Sequence, residues 1–212
     1  PATNLVDVLS PSSSLKAIKR KLTDKAITPK GQQVWETDLN TSLPWNSIHM
    51  NLWRAPVLGK MKDLAWLIVR KSIFSGEVAS KQLSPSIPQH CHCGAIETTE
   101  HIFLDCPSSR EVWNVVSDRW YTHFHARFRN PTPLTLASAG LKHPQRYPKW
   151  LNTLWQILYL VSVYSIWLGR CHNVYEGPPS SMIGRLVVNM RRTYRLLQRI
   201  RPDLRGLAVL NL

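Results

Sequence analysis

Residues 90–106 read HCHCGAIETTEHIFLDC and bring three cysteines and several histidines into one short segment. Taken as Cys91, Cys93, His101 and Cys106, the segment has the pattern C-x-C-x7-H-x4-C. Three thiolates and one imidazole suit tetrahedral Zn²⁺, and four protein ligands leave no open position for a catalytic water. The segment therefore predicts one structural zinc ion, held by a small zinc knuckle formed by residues 90–106.

The spacing of the ligands leaves one alternative open. A single residue separates Cys91 from Cys93, whereas two intervening residues are usual in knuckles. Since His90 with Cys93 would restore that spacing, His90 is the reserve ligand. Gly94 would permit the tight turn that a knuckle needs. His101 and Cys106 are five residues apart, about one and a half helical turns, so we expect a turn or irregular segment between them.

Helical patterns flank the zinc knuckle on both sides. Apolar residues recur at helical spacing over 58–75, with Gly76 as a plausible end, and again over 108–124, where Ser108 or Ser109 can cap the helix. Prolines between 125 and 148 predict a long loop, and helices over about 150–174 and 180–201 follow. Because no convincing strand pattern is present, we predict a mostly α fold, stapled by a CCHC zinc knuckle, with little or no β-sheet.

The chain divides into four segments. These are a basic N-terminal arm with a short helix (1–44), an aromatic-rich helix with the knuckle and its following helix (45–125), a Pro-rich loop (126–149) and a two-helix C-terminal region (150–212). The stretch 151–169 carries no formal charge and is nearly long enough to span a bilayer. Its five polar residues favour a buried amphipathic helix, so no membrane partner is expected.

The charge balance predicts a polyanionic partner, RNA or DNA. The 27 Lys and Arg residues exceed the 13 Asp and Glu residues, for a net charge of +14. The excess lies outside the knuckle, in the arginine face of the last helix and in the N-terminal arm. The predicted nucleic-acid contacts are Arg185, Arg192, Arg195, Arg199, Lys16, Lys19, Arg20 and Lys21. The opposite face of the last helix is apolar, with Ile183, Leu186, Val187, Met190, Tyr194 and Leu197.

Aromatic and acidic residues lie near the knuckle and have other possible roles. Phe103 and Trp113 could stack on bases, although core packing is favoured for Trp113. Glu97 and Glu100 are expected to be surface carboxylates or hydrogen-bond partners of His101 rather than catalytic bases.

Enzymatic chemistry finds little support in the sequence. Neither GxxxxGK[ST] nor GxGxxG occurs, which argues against nucleotide hydrolysis. No paired aspartates of a polymerase are present, and Arg201-Pro202-Asp203 is followed by no acidic residue that could complete a nuclease site. We therefore expect a non-catalytic protein without a small-molecule substrate.

Several motifs around the knuckle occur together in one known family. They are a Trp-rich lead-in with Trp45, Trp53 and Trp66, the block CGAIETTEHIFLDCP, the closing Glu111-Val112-Trp113, and Ser165-Ile166-Trp167 followed by Arg170 and Asn173. This combination resembles the zinc-binding segment that follows the reverse transcriptase domain in non-LTR (long-interspersed-type) retrotransposons. The resemblance implies a C-terminal nucleic-acid-binding accessory region of a retrotransposon polyprotein, or a captured remnant, with the reverse transcriptase domain of the same polyprotein as a further partner.

Two functional hypotheses follow. The first is a zinc-binding module that positions an RNA or DNA template for a reverse transcriptase. The alternative is a domesticated or structural protein-interaction module that uses the aromatic and apolar helices. The cysteines are interleaved with histidines rather than spaced as a disulfide framework, and the first residues lack a signal-peptide pattern. We expect an intracellular location, in the nucleus or in both the nucleus and the cytoplasm.

Overall fold

The computed structural model describes residues 30–126, 128, 130–141, 148–175, 181–204 and 206–210, and within these ranges the chain forms helices and no β-sheet. The helices are α1 (Lys30–Asp38), α2 (Trp45–Arg54), α3 (Gly59–Val69), α4 (Gly76–Gln82), α5 (Pro107–Phe124), α6 (Pro133–Ala137), α7 (Lys149–Tyr175) and α8 (Met182–Ile200). A π-helical turn (His101–Asp105) precedes α5, and a 3-10 helix (Leu207–Leu210) follows α8. The predicted mostly α fold is confirmed.

Helix α7 is the centre of the core. Helices α3, α5 and α8 and the π-helical turn all pack against it. Its length and composition would suffice to cross a membrane, but 78% of its most apolar window is buried inside the protein. Leu154, Leu158 and Ile166 are each 0% exposed. The uncharged stretch is thus a core helix of this structure, as the polar residues within it indicated.

Helix α8 packs on α7 through a face that includes polar residues. The Ser181 hydroxyl accepts a hydrogen bond from Gly184 N at 3.1 Å and caps the helix. Leu186, Met190 and Leu197 are buried as predicted. Asn189 and Thr193 are buried as well, and Asn189 Nδ2 donates to Ser165 Oγ on α7 at 3.0 Å.

The buried face of α8 is therefore rotated from the one predicted. Ile183, Val187 and Tyr194 are only half-buried. The reason is that the α7 surface offers a hydroxyl, which pairs with the Asn189 amide. The spacing of apolar residues along a helix cannot predict such a polar contact with another helix.

Two predicted boundaries on the N-terminal side are wrong. The helix expected over 58–75 ends at Val69, because Lys71 adopts a left-handed conformation with φ 51°. Gly76 begins α4 instead of ending a helix, since Ser75 Oγ accepts from Val78 N at 3.3 Å as its cap.

The Pro-rich loop expected over 126–149 contains a short helix. Thr132 and Thr135 form a capping box, and Pro133 occupies the first turn of α6, where its missing N–H costs nothing. The prolines of this segment predict a loop, whereas in the structure Pro133 begins a helix.

Within the segment expected over 1–44, the structure places α1 after Pro29, whereas the predicted short helix ends before Pro29 and lies outside the described residues. Trp35 of α1 is 0% exposed and its Nε1 donates to Ile68 O at 3.2 Å, which packs α1 on α3. The predicted basic contacts Lys16, Lys19, Arg20 and Lys21 lie outside the described residues.

Candidate metal centre

A small hairpin-like loop presents the first two cysteines. His90 and Ile96 form an isolated antiparallel bridge. Inside it Cys91 N donates to Ala95 O and Gly94 N donates to Cys91 O, both at 2.8 Å. Gly94 has φ +89°, a conformation that side chains with a Cβ rarely adopt. The tight turn expected at this glycine is confirmed, and it places the Cys91 and Cys93 side chains close together.

The π-helical turn presents the other two donors. Thr98 Oγ1 accepts from His101 N at 3.0 Å and starts the turn. Cys106 N then donates to His101 O at 2.8 Å, a bond between residues five apart. A π-helical ring is one residue wider than an α-helical one, so it brings a pair with this spacing back together. The irregular segment expected between His101 and Cys106 is confirmed.

Side chains of α5 stabilise the π-helical turn. Ser109 Oγ donates to Ile102 O at 2.6 Å, and Trp113 Nε1 donates to Phe103 O at 2.8 Å. These bonds satisfy carbonyls that the wider turn leaves without an α-helical partner. Phe103 and Trp113 are 0% and 2% exposed. The expectation that Phe103 could stack on a base is therefore wrong, and the preference for core packing of Trp113 is confirmed.

The donor atoms lie close enough together for one metal ion, and two of their separations are near those of a tetrahedral zinc site. The sulfurs of Cys91, Cys93 and Cys106 and a ring nitrogen of His101 all lie within 4.8 Å of one another. Cys91 Sγ and Cys106 Sγ are 3.8 Å apart, and Cys93 Sγ is 3.3 Å from His101 Nε2. With Zn–S and Zn–N bonds of about 2.3 and 2.0 Å, a tetrahedron has edges of about 3.8 Å between sulfurs and 3.5 Å between sulfur and nitrogen. The four residues thus form a potential zinc site.

His90, the reserve ligand, is not part of this group of donors. It is exposed and lines a cavity of about 490 Å³ together with Phe74, Ile87 and Pro88. His90 forms the β-bridge of the hairpin with Ile96 and directly precedes Cys91, which is one of the four donors.

The environment of the donors sets their protonation before metal binds. Burial raises the pKa of the Cys91 thiol to about 12. The Ala95 backbone N–H, which bonds to the Cys93 sulfur, lowers the pKa of that thiol. Burial lowers the pKa of His101, which keeps its imidazole in the neutral form that ligates metals. Because zinc binds thiolates, filling this site must release protons.

A buried ion pair joins the zinc knuckle to α7. Arg170 Nε donates to Glu97 Oε1 at 3.0 Å and Arg170 Nη2 to Glu97 Oε2 at 2.7 Å. Only 4% of Glu97 and 8% of Arg170 is exposed. Gly76 N adds a third bond to the carboxylate at 2.7 Å, and a Cβ on Gly76 would lie 2.8 Å from Pro88 O. The bidentate geometry fixes both the position and the orientation of the segment that precedes His101.

The role expected for Glu97 is therefore wrong, whereas Glu100 is a partly exposed carboxylate. Glu97 is neither a surface group nor hydrogen-bonded to His101, because Arg170 and Gly76 take its oxygens. Glu100 pairs with Lys71, whose Nζ also lies 3.2 Å from Asp38 Oδ2 and 3.8 Å from the centre of the Trp35 ring. Both carboxylates attach the knuckle to the helices around it.

His92 is a neighbour of the donors that sequence reasoning missed. Its Nδ1 lies 3.2 Å from Cys91 Sγ and its Nε2 lies 3.4 Å from Ser108 Oγ at the start of α5. A metal-bound thiolate carries no proton, so Nδ1 would be the donor and the Ser108 hydroxyl would donate to Nε2. The alternation of His and Cys in HCHC was the available signal for such a neighbour.

The predicted arginine face of α8 is accessible. Arg192, Arg195 and Arg199 are exposed, and Arg185 is partly exposed. Asp203 is the sole carboxylate in 181–212, and it pairs with Arg201 at 3.0 Å. The face thus carries positive charge without an acidic residue within its own helix.

Comparison with known proteins agrees with this geometry. Residues 30–113 match the model of a family described as zinc-binding in reverse transcriptase. The match covers α1 to the first part of α5, and hence all four donors, in fewer than half of the 212 residues. No curated protein and no solved structure matches the chain. The family match and the donor set together support one structural zinc ion.

Proposed function

We propose that this chain is a non-catalytic, zinc-stapled helical module that binds RNA or DNA and positions it for a reverse transcriptase. The observation that carries the proposal is the four-donor site inside a segment that matches a zinc-binding family of reverse transcriptases. In this proposal Cys91, Cys93, His101 and Cys106 hold the ion. Zinc supplies a cross-link between the hairpin and the π-helical turn, and the helices around it carry the binding surface.

The α8 arginines are the proposed contact to nucleic acid. Arg185, Arg192 and Arg199 recur at seven-residue intervals with Arg195 between them, so the face extends along about 21 Å of helix. Guanidinium groups bind phosphate oxygens with two parallel hydrogen bonds. Phosphate contacts release condensed counterions, and they hold RNA and DNA without reading their sequence.

Reversing the charge of this face tests the surface. Arg192→Glu combined with Arg195→Glu is expected to weaken binding to a labelled oligonucleotide and to flatten its dependence on salt. Loss of two phosphate contacts would reduce the slope of log affinity against log salt by about 2. Fluorescence anisotropy over a range of salt concentrations measures both quantities.

The matched control reverses the charge of two basic residues that lie outside α8. Lys81 and Arg110 have side chains that are 68% and 65% exposed, and their double reversal to Glu changes the net charge equally. Equal effects of the two double variants would attribute binding to net charge and contradict the α8 surface. Absence of salt-sensitive binding by the unmodified protein, with a stable dimer in its place, would instead support a protein-interaction module.

A pair of substitutions tests the choice between the two candidate first ligands. Cys91→Ser is expected to lower zinc affinity by at least about 10-fold, because its sulfur is one of the four donors. His90→Ala should keep one zinc per chain, since this residue lies outside the donor group. Competition with a colorimetric chelator measures both affinities. A greater loss of zinc affinity in His90→Ala than in Cys91→Ser would reverse the assignment of the first ligand.

A further inference from the structure

Four aromatic rings form a continuous row across α2 and α3, which we call the aromatic ladder: Trp45, His49, Trp66 and Trp53. The Trp45 and His49 ring centres are 6.4 Å apart, those of His49 and Trp66 are 4.6 Å apart, and those of Trp66 and Trp53 are 6.0 Å apart. The row joins side chains from two helices, so it is a surface of the folded protein and not a feature of one helix.

One end of the aromatic ladder is open to solvent. Trp53 is 48% exposed and Met50, one helical turn before it, is 52% exposed. Trp45, His49 and Trp66 are partly exposed. Exposed aromatic and apolar side chains that adjoin one another, rather than lying singly, are typical of binding surfaces.

The other end of the ladder is held rigidly. Trp45 Nε1 donates to Glu36 Oε1 at 3.0 Å, and His49 Nε2 lies 3.2 Å from Gln32 Nε2 of α1. Burial, together with the nearby Arg70 charge, lowers the pKa of His49, so this ring is neutral near pH 7 and packs as an aromatic group. A rigid platform loses little conformational entropy when a ligand stacks on it.

Basic side chains surround the ladder. The Arg70 guanidinium lies 5.3 Å from the centre of the Trp66 ring, and Lys62 Nζ donates to Trp53 O at 2.8 Å. Arg54 directly follows Trp53 in the chain. Lys60 and Lys71 belong to other contacts, with the Tyr164 ring and with Asp38 and Glu100 respectively. Positive charge predominates beside the exposed Trp53, whereas the Glu36 carboxylate lies at the opposite end of the ladder, where it accepts from Trp45. This arrangement favours a polyanion with aromatic bases as the ligand of the exposed end.

We infer that the aromatic ladder is a stacking platform for unpaired bases of single-stranded RNA or DNA. Bases would stack on the open face of Trp53, while Arg54 and Lys62 lie near enough along the helices to attract the phosphates. The inference goes beyond the proposed function, because stacking requires exposed base faces that a duplex does not offer. The α8 arginines would hold phosphates of either form.

The test compares single-stranded and duplex probes on variants of Trp53. Stacking contributes about 1–3 kcal/mol per base, so Trp53→Ala should weaken binding to a short labelled oligouridylate by about 5- to 160-fold. Trp53→Phe, which keeps a ring, should retain most of the affinity. Affinity for a duplex of the same length should stay unchanged in both variants.

Tyr121→Ala is the matched control, because Tyr121 is another exposed aromatic residue, 61% exposed, on α5. It should bind both probes as the unmodified protein does. Circular dichroism of Trp53→Ala should be native, since the side chain is half exposed.

Three results would overturn the inference: native affinity of Trp53→Ala for the oligouridylate, equal loss for single strand and duplex, or the loss of a self-association that the unmodified protein shows. The result is separable from the proposed function. A loss in Trp53→Ala without one in the α8 charge reversal would retain the platform and reject the α8 surface, and the opposite pattern would do the reverse.

Discussion

Removal of zinc, by a chelator or by Cys106→Ser, is expected to unfold the zinc knuckle and to destabilise the helices that pack on it. The donors come from two short segments, 91–93 and 101–106, and the described cysteines form no disulfide that could replace the metal. Zinc contributes about 10–16 kcal/mol to the folding of isolated finger peptides near pH 7. This is as large as the whole stability of a typical domain.

The destabilisation caused by zinc removal should extend beyond the knuckle, because Cys106 is 3% exposed and directly precedes α5. We expect the thermal midpoint to fall by more than about 10 °C, and elemental analysis to find one zinc per chain in the native protein. Cys171→Ser changes a cysteine outside the donor group and should retain the metal. A native protein without zinc, with reactive thiols at Cys91, Cys93 and Cys106, would contradict the site.

The second large effect is expected from Arg170→Met. This change leaves the Glu97 carboxylate charged, buried and without its bidentate partner, which costs about 3–5 kcal/mol in comparable sites. Because Glu97 precedes His101 by four residues, the loss should also speed the release of zinc to a chelator. Urea denaturation and the rate of zinc release measure the two consequences.

A double-mutant cycle separates the ion pair from general loss of packing. Glu97→Gln removes the charge but keeps an oxygen that can accept from Gly76 N, so the double variant with Arg170→Met should recover part of the stability lost in Arg170→Met alone. Lys81→Met breaks a pair with Glu77 in which the lysine side chain is 68% exposed, and should cost less than about 1 kcal/mol. Strictly additive effects of the two substitutions at 97 and 170 would show that the pair carries no coupling.

Residue type and spacing within short segments predict the features that are determined by contacts between residues close in sequence. The donors that the structure brings together follow from residue type and spacing within sixteen residues, and the irregular segment between His101 and Cys106 follows from helical geometry. The long helices were predicted because their apolar residues recur at helical spacing. The uncharged stretch of α7 was assigned to the core because its polar residues are poorly suited to a bilayer.

Features that depend on distant contacts were not predicted. Glu97 and Arg170 are 73 residues apart, and nothing in the charge of either indicates burial. Their presence in the motifs that resemble those of the retrotransposon family is the available signal. The pattern predicts a helix end at Gly76 because glycine is common there, whereas its role is to let Pro88 and the Glu97 carboxylate approach closely. The sequence leaves base stacking open for Phe103, because the π-helical turn that buries this residue cannot be inferred from periodicity.

The contrast between the sixteen residues that hold the donors and the 73 that separate Glu97 from Arg170 has a consequence for biosynthesis. Closing the loop between Glu97 and Arg170 has an entropic cost about 1.4 kcal/mol higher than closing the loop between the zinc ligands. Arg170 is also translated 64 residues after Cys106. At about 5–20 residues per second, the complete ligand set emerges several seconds before the partner of Glu97 exists. The metal therefore has the opportunity to organise a nascent chain, and α7 then closes over a loop that is already shaped.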